Sequence, residues 1–375
     1  MKNPFVTNGY VSPEYFCDRE KETAKIVSLL MNENNIALIS PRRLGKTDLL
    51  RHCFGQPEIK EHYHSFIIDI YATSSVRDFV NVFGKAVLDE LRPKGKSVWS
   101  TFLNVLASLR SEITFDMNGQ PTWGIGLGAI TNPSATLDEI FSYLNNAGKP
   151  CLIAIDEFQQ ITKYADDSNI EAALRTHIQR CSNAHFVFSG SHRHLMGAMF
   201  TSPARPFYQS VTLINLPPIS VDKYAEFCHK NFELAGKRLD TLVVTELYER
   251  FNGITSYMQK VMNILFSMTG AGEICIPSMI DTAINDLLDF SADTYDALLY
   301  QMPEKQRIAF MAIAAEGKAK AISSGDFVRK YRLQSASSVS SAVKGLLEKD
   351  FITYDKGIYQ VYDQFFQLWL QRNKL

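Results

Sequence analysis

The pattern of apolar and polar positions changes along the chain. In the first half, short runs rich in branched apolar residues alternate with amphipathic helical stretches, and the five runs are NIALIS (35–40), SFIIDI (65–70), CLIAIDEF (151–158), HFVFSGS (185–191) and VTLINL (211–216). Runs that are apolar on both faces are typical of parallel strands with helices packed on each side. The pattern therefore predicts an α/β fold built on a parallel sheet.

From about residue 220 onward, apolar residues recur three and four positions apart, which predicts helices only. This stretch is expected to form a helical lid domain that ends near Pro303. Residues 304–375 then predict three helices followed by two alternating strands around Asp355-Lys356-Gly357, which is the order of a winged helix. The predicted domains are a core at 1–219, a lid at 220–302 and a winged helix at 303–375.

An insertion at residues 113–134 separates the second and third apolar runs. It contains WGIGLG, which is similar to a dinucleotide-binding fingerprint, but no helical pattern opens after the glycines and Asn132-Pro133 follows at once. The insertion therefore predicts a hairpin or a loop flap.

Composition and charge add few constraints on the class of protein. A chain of 375 residues suggests two or three domains, and a net charge of −1 gives no overall reason to expect a polyanionic partner. Residues 300–375 are the basic part, with twelve Lys and Arg and seven Asp and Glu. The six scattered cysteines, the absence of a signal peptide and the lack of an apolar run of roughly 18 residues predict a cytoplasmic protein with reduced thiols and no membrane partner.

The segment ISPRRLGKTDLL (39–50) matches the phosphate-binding loop GxxxxGK followed by Ser or Thr, except that Ser40 replaces the first glycine. It follows an apolar strand and opens a helix, so backbone N–H groups and the helix N-terminus converge on an anion. We expect Lys46 to contact the β- and γ-phosphates of ATP and the Thr47 hydroxyl to ligate Mg²⁺. The candidate nucleotide-binding residues of the loop are Ser40, Pro41, Arg42, Arg43, Leu44, Gly45, Lys46, Thr47 and Asp48.

A second motif, CLIAIDEF, brings two carboxylates to the end of an apolar strand. Asp156 is expected to hold the Mg²⁺ shell, and Glu157 to orient or deprotonate the attacking water. Both motifs fall at the carboxyl ends of predicted parallel strands, where open α/β sheets bind their ligands. Together they predict a P-loop nucleoside triphosphatase.

Several segments resemble one family. SPRRLGKTDLL is similar to the GPRRxGKTSLL loop of the archaeal-type ATPases, a branch of the AAA+ and STAND-like P-loop NTPases, and YFCDREKET (15–23) resembles their entry motif FxGREKEL. The run CLIAIDEF, the strand end HFVFSGS and the closing YQVYDQFFQLWL (359–370) also resemble the family. The resemblance covers almost the whole chain and implies an AAA+-like ATPase core, a helical lid and a C-terminal winged helix.

The resemblance also implies roles for individual residues. Phe16 and Arg19 match the entry motif and would lie on the adenine side, although the same residues also fit the capped start of an amphipathic helix. Ser191, with Ser189 as second choice, would sense the γ-phosphate, although Ser-Gly-Ser is also a simple turn.

Two positions depart from the family pattern. Thr255 stands where relatives carry the proline of a GxP motif, which puts the coupling between lid and nucleotide in question. Gln209-Ser210 replaces a Gly-Arg pair, so a candidate positive charge for the transition state is absent and slow turnover is predicted. Arg205 and Arg193 are candidates to replace it.

Other side chains leave alternatives open. Arg42 and Arg43 suit either extra phosphate contacts or, as we prefer, contacts with neighbouring domains. The pairs His62 and His64, and His192 and His194, have a spacing seen in metal sites but lack companion ligands, so no zinc is predicted.

Three functions are compatible with these motifs. The first is an ATP-binding switch in which slow hydrolysis resets the winged helix relative to the core and lid, with a protein partner as an open alternative. The second is a DNA-binding ATPase resembling origin-recognition initiators, and the third is a nucleotide-binding module with little turnover. The second would use the helix at 335–347 and its surroundings, where the candidate contacts are Ser337, Ser338, Ser341, Lys344, Lys330 and Arg332.

Overall fold

The computed structural model describes residues 2–91, 113–115, 121–123, 133–165 and 169–375. The chain divides into two compact units, which are Asn8–Lys223 and a second unit that joins residues 2–7 to Tyr224–Leu375. Elements are numbered over the described residues. No helix in these ranges is long and apolar enough to span a membrane.

The first unit alternates helices and strands. In chain order its elements are a 3₁₀-helix (Pro13–Tyr15), α1 (Glu20–Met31), β1 (Ile36–Ile39), α2 (Lys46–Phe54), α3 (Pro57–His62), β2 (His64–Asp69), α4 (Val76–Glu90), β3 (Ile113–Phe115), β4 (Pro121–Trp123), α5 (Pro133–Asn145), β5 (Cys151–Asp156), a 3₁₀-helix (Phe158–Lys163), α6 (Ile170–Arg180), β6 (Ala184–Gly190), α7 (Arg193–Thr201) and β7 (Thr212–Asn215).

Five of these strands form one parallel sheet in the order β2-β5-β6-β1-β7. Strands β1, β5 and β6 are buried along their whole length, because helices cover both faces of the sheet. Along β5, Ile153 and Ile155 pack into one apolar cluster and Leu152 and Ala154 into the other, so each face of the strand contributes to a separate core. The predicted α/β class and all five predicted strands are confirmed.

The insertion contains an antiparallel hairpin in which Ile113 lies opposite Trp123. This confirms the hairpin expectation for β3 and β4, whereas residues 124–132, with the glycines of WGIGLG, lie outside the described residues. Helix α5 begins at Pro133, so the Asn132-Pro133 step precedes a helix instead of blocking one. Proline is favoured in the first turn because that turn has no internal acceptor for its missing N–H.

The second unit is mainly helical. Its elements are α8 (Val221–Leu234), which begins at the boundary, β8 (Arg238–Leu239), α9 (Thr241–Arg250), α10 (Thr255–Met268), β9 (Ile274–Cys275), α11 (Met279–Gln301), α12 (Glu304–Glu316), β10 (Ala319–Lys320), α13 (Gly325–Lys330), α14 (Ala336–Glu348), β11 (Ile352–Asp355), β12 (Ile358–Val361) and α15 (Gln364–Asn373). The expectation of helices only was wrong at β8 and β9, which pair in parallel. Two-residue strands are too short to produce an alternating pattern.

The last part of the second unit is a winged helix. Helices α12, α13 and α14 precede the hairpin β11–β12, and β10 joins it to give a three-stranded sheet in the order β10-β12-β11. Helix α15 buries Phe365, Phe366 and Trp369, and the Phe366 ring stacks on Tyr295 of α11 with 4.5 Å between ring centroids. The predicted three helices and wing are confirmed.

The first residues of the chain belong to the second unit, although the predicted boundaries placed them in the core. Phe5 is fully buried, and its ring lies 5.9 Å from Phe227 and 5.7 Å from Phe266. The Asn3 side chain donates to the backbone oxygen of Asn263, whose own side chain donates to the Phe5 oxygen. A short segment without periodicity carries no sequence signal for such packing. The boundaries near 219 and 302 remain predictions.

Candidate nucleotide-binding site

The phosphate-binding loop joins the end of β1 to the start of α2. Arg43 and Gly45 adopt left-handed conformations, with φ of 68° and 82°, immediately before the helix. A Cβ atom placed on Gly45 would meet no atom within 4 Å, so the space beside this glycine is open. Left-handed residues followed by a helix N-terminus form a concave group of N–H donors that suits an anion.

Ser40 takes the place of the first glycine without disturbing the loop. Its side chain is fully buried and its hydroxyl donates to the Pro41 oxygen at 3.0 Å. Its backbone N–H donates to the oxygen of Gly190 at the end of β6, at 3.4 Å. The small side chain therefore fits at the carboxyl end of the sheet.

Lys46 is 6% exposed and lies beneath the loop. Its Nζ atom donates to the backbone oxygens of Ser40 at 3.2 Å and Pro41 at 3.3 Å. Burial lowers the pKa of this amine, Arg42 lowers it further, and the carboxylates of Glu157 and Asp156 oppose the shift. A buried cation beside a helix N-terminus is suited to the β- and γ-phosphates of a nucleotide.

Thr47 and Asp156 connect the loop to β5. The Thr47 hydroxyl donates to Oδ2 of Asp156 at 2.5 Å, and the other carboxylate oxygen accepts from the Glu157 N–H at 3.0 Å. Asp156 is buried at the carboxyl end of β5. A hydroxyl and a carboxylate within contact, next to a phosphate loop, form the all-oxygen donor set that Mg²⁺ prefers. The residues present therefore fit a magnesium ion.

Glu157 lies beside this pair in a left-handed conformation with φ of 55°. Its Oε2 atom accepts two hydrogen bonds, one from Ser191 Oγ at 2.8 Å and one from Gln159 Nε2. Ser191 in turn accepts from Arg42 Nε at 3.1 Å. The loop, β5 and the end of β6 are thus linked through Glu157. Gln159 was not among the residues predicted from the sequence, in which it is only a polar residue two positions after Glu157.

Arg42 lies inside the first unit. Besides its bond to Ser191, its guanidinium lies 5.4 Å from the centroid of the Tyr71 ring, which follows β2. The bond to Ser191 is compatible with the phosphate-side alternative for Arg42, and the preferred contact with another domain stays a prediction. For Arg43, the structure gives the left-handed backbone and a half-buried side chain.

The two sensor candidates differ in their surroundings. Ser189 is fully buried within β6, and its hydroxyl has no hydrogen-bond partner among the described residues. Ser191 is half-buried at the strand end and contacts both Arg42 and Glu157. Ser191 is thus the one of the two that contacts the loop, and its role as a γ-phosphate sensor stays a prediction.

Arg19 serves the fold around the entry segment. It is 2% exposed, and its guanidinium donates to Glu22 and to the Pro217 oxygen, both at 2.7 Å. These contacts tie the first turn of α1 to the segment after β7. They match the alternative in which Arg19 helps start the helix, and its predicted adenine contact stays a prediction.

Phe16 packs against an aromatic side chain of α2. Its ring stacks on His52 with centroids 4.4 Å apart, and Tyr10 donates to or accepts from His52 Nδ1 at 3.1 Å. Burial lowers the pKa of His52. Asp48, one turn earlier on α2, has a pKa raised chiefly by burial, and Arg51 opposes the shift. The adenine-side role of Phe16 also stays a prediction.

The positions that depart from the family pattern are occupied as follows. Thr255 is the first residue of α10, and its buried hydroxyl has no partner among the described residues. Gln209 has a left-handed backbone, and its amide donates to the Tyr208 hydroxyl at 3.1 Å. Arg205 forms an ion pair with Glu171 of α6, whereas Arg193 is exposed at the start of α7. Arg205 is therefore already engaged within the fold.

The histidine and cysteine side chains assemble no metal centre in the part of the chain that the structure describes, where no three His, Cys, Asp or Glu residues come together. His64 Nδ1 instead lies 3.8 Å from a Glu90 oxygen. All six cysteines are buried free thiols, and burial raises the pKa of Cys53 and of Cys151 to about 12.

In the winged helix, α14 is the predicted recognition helix. Ser337, Ser341 and Lys344 are exposed as predicted. Ser338 is half-buried, and its N–H donates to the capping hydroxyl of Ser335. A pocket of about 690 Å³ is lined by Ser337, Ser338 and Ser341 together with Lys305 and Gln306. Of the nearby basic residues, Arg332 is exposed and Lys330 pairs with Glu316 at 2.6 Å.

The parallel sheet, the loop around Lys46 and the carboxylates after β5 define a P-loop ATPase core, and a winged helix closes the chain. A family model described as an ATPase domain predominantly from Archaea matches residues 16–261, and a model described as a probable winged helix domain matches residues 293–372. The first match covers more than half of the chain, which therefore belongs to this ATPase family. The predicted resemblance is confirmed. No protein with a curated description matches the chain significantly.

Solved structures with the same fold align with nearly the whole chain. A Walker-type ATPase of Pyrococcus abyssi has 17% identity and a TM-score of 0.63, with 98% of this chain and 99% of that chain covered. The Orc1 protein of Aeropyrum pernix in complex with DNA has 12% identity and a TM-score of 0.57, covering 99% and 97%. The Orc2 protein of Aeropyrum pernix, solved as ADPNP–ADP complexes, has 12% identity and a TM-score of 0.54, covering 99% and 98%. At these identities the likeness concerns the fold.

Proposed function

We propose that the chain binds ATP with Mg²⁺ at the loop around Lys46 and hydrolyses it slowly, as an ATPase of the AAA+ type. The loop N–H groups and Lys46 hold the phosphates, and Thr47 and Asp156 would hold the metal. A bound Mg²⁺ supplies neutralisation of the charge that develops on the phosphate oxygens. The observation that carries the proposal is the Thr47–Asp156 hydrogen bond, which places the loop directly against the carboxylates of β5.

Glu157 is assigned to the attacking water. Its Oε2 atom is held by two donors, and its Oε1 atom has no donor among the described residues. A carboxylate oxygen without a donor can accept the proton of a water molecule that attacks the γ-phosphorus. Arg42 donates to Ser191, which in turn donates to this carboxylate, and these two residues would respond when a γ-phosphate occupies the loop.

Slow turnover follows from the arginine positions. A cation that stabilises the transition state contributes about 10³–10⁵ in rate in related phosphoryl transfers. Gln209 carries no charge, and Arg205 is paired with Glu171. Arg193, exposed at the start of α7, is the remaining candidate of the two proposed from the sequence.

We also propose that nucleotide changes the arrangement of the two units. Such a switch requires different nucleotide affinities in the two arrangements. The chain passes between the units twice, because residues 2–7 and Tyr224–Leu375 belong to one and Asn8–Lys223 to the other. Directly after the first passage, the chain packs against α2. A Cβ atom on Gly9 would lie 3.3 Å from the Arg51 side chain, and the Tyr10 hydroxyl is hydrogen-bonded to His52. A change at α2 is thus connected to the second unit through the chain itself.

Steady-state hydrolysis by Glu157→Gln tests the catalytic assignment. We expect a loss of at least about 100-fold in turnover with ATP binding retained, because general base catalysis contributes about 10²–10⁴. Glu58→Gln, the same change at an exposed position of α3, is the matched control and should behave like the parent. Equal turnover in the parent and Glu157→Gln, or turnover of tens per second in the parent without a partner, contradicts the proposal.

DNA binding through the winged helix is a second candidate function. It is favoured by the exposed serine face of α14 with Lys344 beside it, and a neighbour of the same fold was solved with DNA. We expect salt-sensitive binding to duplex DNA that falls when Arg332 and Lys344 are changed to Ala together, with Lys21→Ala/Lys25→Ala on α1 as control. No binding at low salt would count against this function and leave the ATPase assignment intact.

A further inference from the structure

Gln159 occupies a buried position between the carboxyl ends of β5 and β6. It is 2% exposed, and its Nε2 atom donates to Oε2 of Glu157. We infer that Gln159 is a positioning residue for ATP hydrolysis, which fixes the orientation of the Glu157 carboxylate toward the attacking water. The inference rests on the proposed role of Glu157 as the base.

The backbone alone does not fix the direction of the Glu157 side chain. Glu157 lies between the end of β5 and the 3₁₀-helix that follows, in a left-handed conformation outside both elements. Its carboxylate is therefore oriented by its partners, and both Ser191 and Gln159 donate to the same oxygen. Two donors on Oε2 leave Oε1 as the oxygen available to a water molecule.

The surroundings hold Gln159 in one place. Its backbone oxygen accepts from the Thr162 hydroxyl at 2.8 Å within the 3₁₀-helix. Its side chain lies against Gly190, where a Cβ atom would approach Gln159 Oε1 and Met196 Sδ to less than 3.0 Å. Only glycine at the end of β6 leaves room for the amide, so the position of Gln159 depends on Gly190.

An amide in this position is costly for the fold. Its Oε1 atom is buried without a hydrogen-bond partner among the described residues. Such a group costs about 1–3 kcal/mol in proteins, and an apolar side chain of similar size would avoid that cost. A stability role therefore does not explain the glutamine, whereas its donor to the Glu157 carboxylate does.

The chemical step defines what Gln159 contributes. The water oxygen forms a bond to the γ-phosphorus, the bond from that phosphorus to the bridging oxygen breaks, and ADP leaves with the electron pair. The water proton passes to Glu157 Oε1 and later to phosphate. Gln159 exchanges no proton, and acts by keeping the carboxylate in the orientation that accepts one.

Gln159→Met tests the inference because it keeps the length of the side chain and removes the donor. One hydrogen bond to a charged group corresponds to roughly 10- to 100-fold in rate, so we expect kcat to fall by about this factor while the KM for ATP stays at the parental value. Gln160→Met is the matched control, since the Gln160 amide donates to the Thr73 oxygen at 3.0 Å. It should leave kcat unchanged.

Two further variants complete the experiment. In the Glu157→Gln background, Gln159→Met should cause no additional loss, because the carboxylate it positions is gone. Gln159→Glu, which places an acceptor against Oε2, should also lower kcat. It replaces Gln159→Met in the test if the methionine variant does not fold. Parental kcat in Gln159→Met or Gln159→Glu, or a loss that adds to that of Glu157→Gln, overturns the inference. Parental turnover in Glu157→Gln alone instead overturns the proposed base.

Discussion

Thr47→Val should separate the two roles assigned to the Thr47 hydroxyl. Without nucleotide, the hydroxyl donates to the buried Asp156 carboxylate at 2.5 Å, and valine removes the donor while keeping the shape. Loss of a hydrogen bond to a charged group costs about 1.5–3 kcal/mol. In a unit of this size, a change of 1 kcal/mol in the free energy of unfolding shifts Tm by about 2–4 °C. Without nucleotide, the variant should therefore melt about 3–12 °C below the parent.

With nucleotide, the same hydroxyl is expected to face Mg²⁺. A ligand at 100 times its Kd stabilises a protein by about 2.7 kcal/mol. Because Mg²⁺ is expected to strengthen ATP binding, ATP with Mg²⁺ should raise the Tm of the parent more than ATP with a chelator. In Thr47→Val this Mg²⁺-dependent increment should shrink. Calorimetry of the free protein, with ATP and Mg²⁺, and with ATP and a chelator measures both the lower Tm of the free variant and its smaller response to Mg²⁺.

Thr176→Val is the control for this experiment. The Thr176 hydroxyl bonds to the Ala172 oxygen on the exposed side of α6, so the chemical change is the same and the site is remote in function. The control should keep the full Mg²⁺-dependent increment. A Thr47→Val protein that melts like Thr176→Val and responds equally to Mg²⁺ would refute the reasoning.

Three further predictions concern stability. Phe5→Ala should lower the free energy of unfolding of the second unit by about 3–5 kcal/mol in a denaturant titration, because it empties a fully buried site; a change below 1 kcal/mol would contradict the packing. Arg205→Ala should cost about 1–3 kcal/mol, since it leaves the mostly buried Glu171 carboxylate without its cation, and should leave turnover at the parental value; a large fall in kcat would restore Arg205 as a catalytic cation. Burial lowers the pKa values of His177 and His185, so the unfolded chain binds more protons, and the free energy of unfolding should fall as pH drops below about 6.5. His185→Gln should make this dependence on pH shallower, and an unchanged dependence would contradict the lowered pKa of His185.

The sheet and the phosphate loop could be predicted because each leaves a local signal. A strand such as β5 is buried on both faces, so CLIAID is a continuous apolar run, and two carboxylates directly after it are conspicuous. The loop needs Gly45, Lys46 and Thr47 in fixed order because their backbone and side-chain atoms face the phosphates. Residues whose role depends only on their neighbours in sequence are the ones that sequence analysis identifies.

The missed features depend on contacts distant in sequence. Phe5 gains its importance only from rings more than two hundred residues away, and β8 and β9 are two-residue strands whose pairing no pattern reveals. The importance of Gln159 depends on the contacts of its amide with Glu157 and Gly190, and Gly190 lies on another strand. The bond from Arg42 to Ser191, 149 residues further along the chain, likewise leaves no local signal.

Equilibrium binding of ATP to the parent and to Lys46→Ala, with Mg²⁺ present, tests the central claim most directly. The account predicts saturable binding to the parent and an affinity at least about tenfold lower in the variant, because a charge-assisted contact of the buried amine with phosphate is lost. A circular dichroism spectrum identical to that of the parent would establish that the variant is folded. Unchanged ATP affinity in a folded Lys46→Ala protein would contradict the assignment of the site.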